Sequence, residues 1–244
     1  MRYAVLSDVH GNLEALEAVL RDARRGRLDA CLCLGDTVGY GPDPNECVAR
    51  IRSLGGPVIA GNHDLAAAGM LDPSAFTPLA RAAIEWTRDV LTHETRAWLA
   101  TLPARLDDPA FLAVHGSPRD PIEEYIIDLP TSLAIFTAHA FSLCLVGHSH
   151  VPGAFILQAD GAVSARRLPV GRGVRLARAA RYIVNVGSVG QPRDRDSRAA
   201  YALWSVEDGA VAIRRVPYDV DAARRKIVAG GLPQYLADRL AWGA

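Results

Sequence analysis

The chain has 244 residues, of which 50% are hydrophobic and 22% are charged, a composition typical of a folded globular protein and unlike a disordered segment or a coiled coil. Its 27 basic and 27 acidic residues balance, so net charge gives no reason to expect nucleic acid or an anionic membrane as a partner. The length fits one large α/β domain, which we place at residues 1–244.

The amino-terminal residues and the longest uncharged stretch argue against export and membrane insertion. The first apolar run stops at Ser7-Asp8, too early for the apolar region of a signal peptide. Residues 129–159 carry no charged side chain, but prolines, glycines and histidines interrupt them, and they lack the 18 consecutive apolar residues of a membrane span. We therefore expect a cytoplasmic protein with no membrane partner.

Four cysteines, at positions 31, 33, 47 and 144, are too few for a small disulfide scaffold. Cys31 and Cys33 lie in an apolar run, where free thiols behave as small buried hydrophobic groups. Their C-x-C spacing is not C-x-x-C, and no second pair follows. We therefore expect buried structural thiols and no zinc or redox site.

Short apolar runs alternate with helical patterns in the first part of the chain. The predicted strands cover residues 3–7, 30–34 and 57–60. One predicted helix begins after the N-cap Asn12 and runs to about Gly26, and a second covers residues 44–54. Strand and helix in alternation predict a parallel sheet with right-handed crossovers.

Later segments change in character along the chain. Residues 77–101 predict two consecutive helices, residues 111–114 and 143–146 predict strands, and a helix is expected after Pro130. Short β-rich runs with Asp-Gly turns then predict an antiparallel sheet over residues 154–158, 163–168, 181–186, 201–206 and 210–216. Closing helices are predicted at residues 219–229 and 233–241.

Polar side chains follow the end of each strand predicted before residue 150. The segments are Ser7-Asp8-Val9-His10, Gly35-Asp36, Gly61-Asn62-His63-Asp64, Val114-His115-Gly116 and Gly147-His148-Ser149-His150. Ligands of open α/β sheets bind outside the carboxyl ends of the strands, so we expect these segments to meet at one edge. They contain five of the chain's seven histidines.

Imidazole and carboxylate without thiolate form a ligand set for divalent Mn, Fe, Zn, Co or Ni. The candidate ligands outnumber the needs of one tetrahedral ion and fit two ions that share a carboxylate: Asp8, His10, Asp36, Asn62, His115, His148 and His150, with His63 as an eighth. Two such ions clamp the attacking and leaving oxygens of an in-line displacement at phosphorus. Each motif alone is weak, because D-x-H arises by chance and a histidine after a strand is often structural, but five in order argue against chance.

The ordered motifs D-x-H, G-D, G-N-H-D, H-G and G-H-x-H resemble those of the calcineurin-like metallophosphoesterases. Gly39-Tyr40-Gly41-Pro42-Asp43-Pro44, His115-Gly116-Ser117-Pro118-Arg119-Asp120 and the segment 185–193 are similar to a bacterial phosphodiesterase-like subgroup. The resemblance covers roughly residues 1–217. It implies a four-layer α/β/β/α sandwich of two mixed sheets flanked by helices, with a dinuclear site at its rim.

The resemblance also implies a role for each matching residue. It places one metal ion on Asp8, His10 and His150. It places the other ion on Asn62, His115 and His148, with Asp36 bridging both. It implies that His63 contacts the phosphoryl group and protonates the leaving oxygen, with Asp64 orienting the ring.

One segment departs from the pattern G-D-x-V-D-R-G of protein Ser/Thr phosphatases and symmetrical dinucleoside tetraphosphatases. The phosphate-binding arginine of those enzymes is replaced here by Tyr40, which disfavours both activities. Arg119 and Arg193 are candidates to compensate, and Tyr40 is a candidate to shape the substrate pocket. For each arginine a solvated surface position is an equal alternative.

Residues 166–198 hold nine arginines against two aspartates. Such a band could hold a nucleotide or a nucleic-acid backbone. A solvated basic face balanced by acids elsewhere is the preferred interpretation, so nucleic acid is not the expected partner.

Taken together, the residues and the resemblance predict a dinuclear metal-dependent hydrolase, with Mn²⁺ as the preferred metal and a small phosphoester, a nucleotide among the candidates, as substrate. We expect a phosphodiesterase that uses a metal-bound hydroxide in an in-line attack. The alternatives are a phosphomonoesterase or nucleotide pyrophosphatase on the same site, and a non-catalytic scaffold such as the retromer subunit that resembles this family. That subunit lacks the histidine of the G-N-H segment, whereas His63 is present here.

Overall fold

A computed structural model describes residues 1–26 and 28–244 of the chain. Within them the strands are β1 (Arg2–Leu6), β2 (Ala30–Cys33), β3 (Arg105–Asp108), β4 (Phe111–Val114), β5 (Leu143–Val146), β6 (Gly153–Leu157), β7 (Val163–Arg166), β8 (Val174–Arg175), β9 (Arg181–Asn185), β10 (Ala199–Ser205) and β11 (Ala210–Val216). The helices are α1 (Leu13–Ala23), α2 (Pro44–Arg52), α3 (Asn62–Ala68), α4 (Pro78–Val90), α5 (His93–Leu99), α6 (Leu129–Ala138), α7 (Val220–Ala229) and α8 (Gln234–Trp242), with a 3₁₀ turn at Pro73–Ala75.

The strands form two mixed sheets. The first has the order β2-β1-β10-β11-β8, and the second has the order β3-β4-β5-β9-β6-β7. Parallel pairs lie in both sheets, β1 with β2 in the first and β4 with β5 and β5 with β9 in the second. The carboxyl ends of β1, β2, β4 and β5 therefore carry the loops that the sequence predicts to hold the polar segments.

The two sheets pack face to face through a fully buried layer of apolar side chains. Val5 and Leu32 from the first sheet meet Leu145 and Val184 from the second, and all four side chains are fully buried. Helix α1 covers the other face of the first sheet with Leu16 and its neighbours, and α6 covers the other face of the second sheet. This arrangement confirms the predicted four-layer α/β/β/α sandwich.

Helix α1 illustrates why the predicted elements form. The side chain of Asn12 accepts a hydrogen bond from the backbone N–H of Ala15 (3.1 Å), which satisfies one of the free donors of the first turn. Leu16, Val19 and Leu20 recur at helical spacing and are all buried against the sheet. The predicted N-cap and apolar face are both confirmed.

Two sequence predictions about strands are wrong. Residues 57–60 do not form a strand, because only a single bridge joins Val58 to Cys33 at the edge of the first sheet. The β-rich runs after residue 150 do not build a separate antiparallel sheet. Strands β10 and β11 extend the first sheet beside β1, while β9, β6 and β7 extend the second beside β5.

None of the helices in the described part of the chain is both long enough and apolar enough to cross a membrane. Cys33, Cys47 and Cys144 are buried, Cys31 is partly buried, and all four are free thiols, as the sequence predicts.

Candidate metal centre

The polar segments that follow β1, β2, β4 and β5 meet at one edge of the sandwich, beside the first turn of α3. The seven candidate ligands are all buried, and they are Asp8, His10, Asp36, Asn62, His115, His148 and His150. The strand ends from two different sheets thus supply one cluster of polar side chains in the interior.

Several of these residues have a left-handed backbone, which is unusual for residues other than glycine. Positive φ angles of 49–65° occur at Asp8, His10, Asp36, His148 and His150. The reversed backbone turns side chains that are close in sequence, such as Asp8 and His10, toward the same point. The local conformation is therefore part of how the site is built.

Asp8, His10 and His150 form the first group of candidate ligand atoms. His150 Nε2 lies 3.2 Å from Asp8 Oδ1 and 3.2 Å from His10 Nε2, and His10 Nε2 lies 3.9 Å from Asp8 Oδ1. These atoms all lie within 4.8 Å of one another, a spacing that one cation can bridge. The group matches the first metal set implied by the family resemblance.

Asp36, His115 and His148 form a second group with the same mutual spacing of ligand atoms. His115 Nε2 lies 3.3 Å from Asp36 Oδ2, and His10 Nε2 lies 3.6 Å from the same oxygen. Asp36 therefore stands between the two groups. Among the described residues the buried Oδ1 of Asn62 has no hydrogen-bond partner, which leaves it free as a further ligand.

Backbone carbonyls fix the orientation of the histidine rings. The Nδ1 atoms of His10, His115 and His150 donate to the carbonyl oxygens of Val38 (3.1 Å), Leu34 (2.8 Å) and Gln191 (2.6 Å). His148 is turned around, and its Nε2 donates to the carbonyl of Glu123 (3.1 Å). In each neutral ring the other nitrogen keeps its lone pair, which is the arrangement metal-ligating histidines use.

These orientations allow a test of whether the residues fit a metal. With Nδ1 occupied as a donor in both rings, the facing Nε2 atoms of His10 and His150 present two lone pairs to each other across 3.2 Å. Among the described residues, Asp8 Oδ1 is likewise buried without a hydrogen-bond partner. Buried acceptors that converge in this way are stabilised by a cation. The residues therefore fit divalent ions.

The histidines of the cluster differ in their pKa values. Burial opposes charge on His115, but the neighbouring Asp36 carboxylate outweighs it and raises the pKa of His115 to about 9. Burial lowers the pKa of His148 to about 3, so its ring is neutral at pH 7. Burial also opposes ionisation of Asp8, but the adjacent His150 holds the pKa of Asp8 below its usual range. The pKa of Asp36 is also held well below its usual range, so both carboxylates stay charged, whereas burial and the nearby Asp36 raise the pKa of Asp64 to about 7.

His63 and Asp64 begin helix α3 and take different positions. The His63 ring packs beside Tyr40 (4.5 Å between ring centres) and His10 (4.9 Å), and burial lowers its pKa to about 4. Asp64 does not contact that ring. Its carboxylate accepts hydrogen bonds from the backbone N–H groups of Thr37 (2.9 Å), Val38 (3.2 Å) and Gly61 (3.1 Å).

The expected pairing of Asp64 with the His63 ring is thus not observed, because backbone donors occupy both carboxylate oxygens. Asp64 fixes the loop that carries Asp36 instead. Among the described residues His63 Nδ1 has no hydrogen-bond partner, and it faces Gly39, where an added Cβ would lie only 2.3 Å away.

Two of the three candidate substrate-binding residues lie in the wall of a cavity, and the third does not. Tyr40 and Arg193 line a cavity of about 370 Å³ together with Asn62, His63 and His148. Arg119 is not in its wall, because its guanidinium pairs with Glu124, to which Nε donates at 3.1 Å.

Sequence reasoning missed several further residues of this cavity, among them Phe76 and Arg239. Phe76 packs on the His63 ring with 5.2 Å between ring centres. Arg239 comes from the last helix, far from every motif, and no local pattern in the sequence marks it.

Three arginines of segment 166–198 make different contacts. Arg181 donates to the carbonyl oxygens of Phe136 (2.7 Å) and Phe141 (2.8 Å) and supports the end of α6. Arg198 pairs with Asp196 at 2.7 Å, and Arg193 enters the cavity.

Comparison with known proteins gives consistent results over the whole chain. The calcineurin-like phosphoesterase superfamily domain matches residues 1–209. An uncharacterized protein of Methanocaldococcus jannaschii, MJ0912, is 37% identical over 248 residues, which cover 98% of this chain and 97% of that protein. The crystal structure of a metallophosphoesterase from Sphaerobacter thermophilus is 43% identical, covers 100% of this chain and 99% of that one, and has a TM-score of 0.89.

A second crystal structure, that of hypothetical protein PH1004 from Pyrococcus horikoshii OT3, is 27% identical with a TM-score of 0.80, covering 100% of this chain and 98% of that one. The motifs, the two-sheet sandwich and the buried His/Asp groups agree with these relationships. The chain belongs to the calcineurin-like phosphoesterase superfamily, a family of metal-dependent phosphoesterases.

Proposed function

We propose that the protein is a dinuclear metal-dependent phosphodiesterase. The observation that carries the proposal is the pair of buried ligand groups joined by one carboxylate. Asp8, His10 and His150 would hold one ion, Asn62, His115 and His148 would hold the other, and Asp36 would contact both. A single ion would leave part of this buried set without a partner, which is costly in the interior.

Divalent ions held by these residues would polarise phosphoryl oxygens as Lewis acids and activate water as a nucleophile. Mn²⁺ is the proposed metal, because imidazole and carboxylate ligands without thiolate suit it. The protein contributes a rigid, dry frame. Backbone carbonyls hold each imidazole in place. The backbone N–H of His63 donates a hydrogen bond to Asp36 Oδ1 (2.8 Å), which fixes the shared carboxylate.

His63 is the proposed catalytic residue beside the ions. Its ring lies in the wall of the cavity, next to His10 and Tyr40, and is neutral at pH 7 because burial lowers its pKa to about 4. A neutral imidazole suits a hydrogen-bond donor to a phosphoryl oxygen. The negative charge of the bound ester would raise this pKa, so that the ring could take up a proton from solvent and pass it to the leaving oxygen.

Space on two sides of the site supports a diester as substrate. Tyr125 stacks on the His148 ring with 3.7 Å between ring centres, and it belongs to the walls of two cavities. One is the cavity that holds Arg193. The other, of about 530 Å³, is mostly apolar and includes Val151, Ile183 and Phe155. A phosphodiester has two organic groups, and each could occupy one cavity.

The proposal is tested by stripping the purified protein of metal, reloading it with Mn²⁺, and comparing turnover of bis(p-nitrophenyl) phosphate with that of p-nitrophenyl phosphate. Asp36→Asn is the loss-of-function control. Faster diester hydrolysis that disappears in the variant supports the proposal. Faster monoester hydrolysis would refute the diester preference and favour a phosphomonoesterase. A protein that binds no Mn²⁺ in calorimetry would refute the dinuclear site and favour a scaffold.

A further inference from the structure

Two arginines from distant parts of the chain converge on one aromatic ring in the cavity beside the metal ligands. Arg193 follows β9 in the chain, and Arg239 lies on α8. Their Cζ atoms lie 5.8 Å and 6.0 Å from the centre of the Tyr40 ring. Both side chains line the cavity of about 370 Å³ that also includes His63 and His148.

Neither arginine pairs with an acidic side chain in the described part of the chain. No Asp or Glu carboxylate there lies within ion-pair distance of Arg193 or Arg239, although the exposed Glu123 also borders the cavity. Arg193 Nη2 donates to Gln191 Oε1 (2.9 Å), while its buried Nε has no partner in the described chain. Arg239 Nε donates to the backbone oxygen of Ala244.

Other arginines of the chain are arranged differently. Arg119 pairs with Glu124, and Arg215 pairs with Asp194, so their charges are balanced locally. Burial lowers the pKa of Arg239, and the like charge of Arg193 lowers it further, so the two guanidinium groups repel each other. An anion between them would reduce this repulsion, and the planar guanidinium groups can each hold two of its oxygens.

The position of the pair relative to the ligands defines what it can bind. The Tyr40 ring centre lies 4.8 Å from that of His10 and 4.5 Å from that of His63. Arg239 and these two histidine rings therefore lie around Tyr40, and Arg239 shares one cavity with His63. An anion held by Arg239 and a phosphoryl group at the metal centre would be close enough to belong to the same small molecule.

We propose that Arg239, together with Arg193, binds a second anionic group of the substrate, so that the substrate is a phosphoester whose organic part carries a further phosphate or carboxylate. This inference rests on the proposed function, because it takes the first phosphoryl group to lie at the metal centre. Arg239 lies outside the residues 1–209 that match the superfamily domain. The C-terminal helix thus supplies a specificity residue that the motifs of the family do not include.

The test uses the Mn²⁺-loaded protein and non-hydrolysable probes. Methylphosphonate carries one anionic group, and α,ω-bisphosphonates with three to six methylene groups carry a second at increasing distance. Dissociation constants are measured by calorimetry. At least one bisphosphonate is expected to bind about tenfold more tightly than methylphosphonate, well beyond the twofold statistical gain of a molecule with two equal ends.

Arg239→Gln is expected to abolish this gain while the affinity for methylphosphonate stays unchanged, and Arg239→Lys is expected to keep part of it. Arg225→Gln is the matched control, because Arg225 is an exposed arginine on the neighbouring helix α7 and lies outside the cavity. A gain that survives Arg239→Gln overturns the proposal. The proposal is also overturned if the wild-type protein binds no bisphosphonate more tightly than methylphosphonate. This second measurement does not depend on whether the variants fold.

The outcomes separate this inference from the proposed function. Diester hydrolysis without tighter bisphosphonate binding would refute the second anion site and leave the phosphodiesterase intact. Tighter bisphosphonate binding that depends on Arg239, in a protein that hydrolyses neither chromogenic ester, would support the anion site and count against the proposed activity.

Discussion

Gly147, between β5 and the ligand His148, is a position where a single added methyl group should damage the metal centre. A Cβ atom at this position would lie 1.9 Å from Ser7 Oγ and 2.7 Å from Asp8 Oδ2. Its backbone φ is not in the left-handed region, so Gly147→Ala introduces a steric clash without conformational strain. The clash separates the end of β5 from the end of β1, and these two strand ends carry ligands of both ions.

The geometry sets the size of the effect. Carbon and oxygen atoms in contact need roughly 3.5 Å, so the methyl group must displace Ser7 by more than an ångström and the Asp8 carboxylate by several tenths. In the wild-type protein the backbone N–H of His148 donates a hydrogen bond to Asp8 Oδ2 (3.2 Å), and this movement weakens it. Overpacking of this kind costs about 1–3 kcal/mol of stability. Disturbing the support of a metal ligand lowers metal affinity about 10–100-fold.

The assay is a calorimetric Mn²⁺ titration of Gly147→Ala beside urea unfolding of the metal-free protein. We expect weaker metal binding, reduced diester turnover and a modest loss of stability. The control is Gly173→Ala, because Gly173 is exposed and no atom of the described chain lies within 4 Å of an added Cβ there. Wild-type Mn²⁺ affinity in Gly147→Ala would refute the reasoning, since the clash would then have been absorbed without moving Asp8.

Three further predictions concern single groups. His63→Ala should lower the rate of diester hydrolysis about 10²–10⁴-fold while two Mn²⁺ ions still bind, and loss of bound metal would instead assign His63 to the ligands. His115, whose pKa Asp36 raises to about 9, carries a second ring proton at pH 7.5, so metal binding should release about one proton and should become stronger as the pH rises toward 9. Calorimetric titrations in buffers of different ionisation enthalpy measure the number of protons released. Metal binding without proton release would contradict this prediction. Arg181→Met should cost about 2 kcal/mol in urea unfolding by leaving the carbonyls of Phe136 and Phe141 without their charged donor, whereas an unchanged midpoint would mean that water replaces it.

Much of the site could be predicted because its signals are local in the sequence. Each ligand directly follows a buried run, as His115 follows the strand Phe111–Val114, and a polar residue at the end of a buried strand is readily recognised. The convergence of four of the five segments followed from the behaviour of strand ends alone, whereas the segment Gly61-Asn62-His63-Asp64 follows no strand of the described chain. The orientation of each ring could not be predicted, because it depends on carbonyls such as Leu34, far away in the sequence.

The errors in the predicted fold have a common physical cause. Strand β10 pairs with β11, its neighbour in sequence, and also with β1 at the start of the chain. The first pairing is local, but the second depends on long-range packing, which the local sequence does not determine. Residues 57–60 have the composition of a strand, but Pro57 has no N–H to donate, and only Val58 bridges to β2. Arg239 was missed because an arginine on a helix has no local pattern that distinguishes a cavity wall from solvent.

The left-handed residues connect stability with function in this molecule. Among the described residues, seven other than glycine have a positive φ, and six of them lie at the metal centre or in the wall of its cavity: Asp8, His10, Asp36, Tyr40, His148 and His150. Each such backbone costs roughly 1–2 kcal/mol, which a chain selected for stability alone would avoid by placing glycine there. Glycine would relieve the strain and remove the ligand. The chain keeps both the strain and the side chains at one place, and the strain persists because the packed sheets on either side leave the loops no alternative path. Backbone geometry thus identifies five of the seven candidate ligands from a property that does not depend on their chemistry.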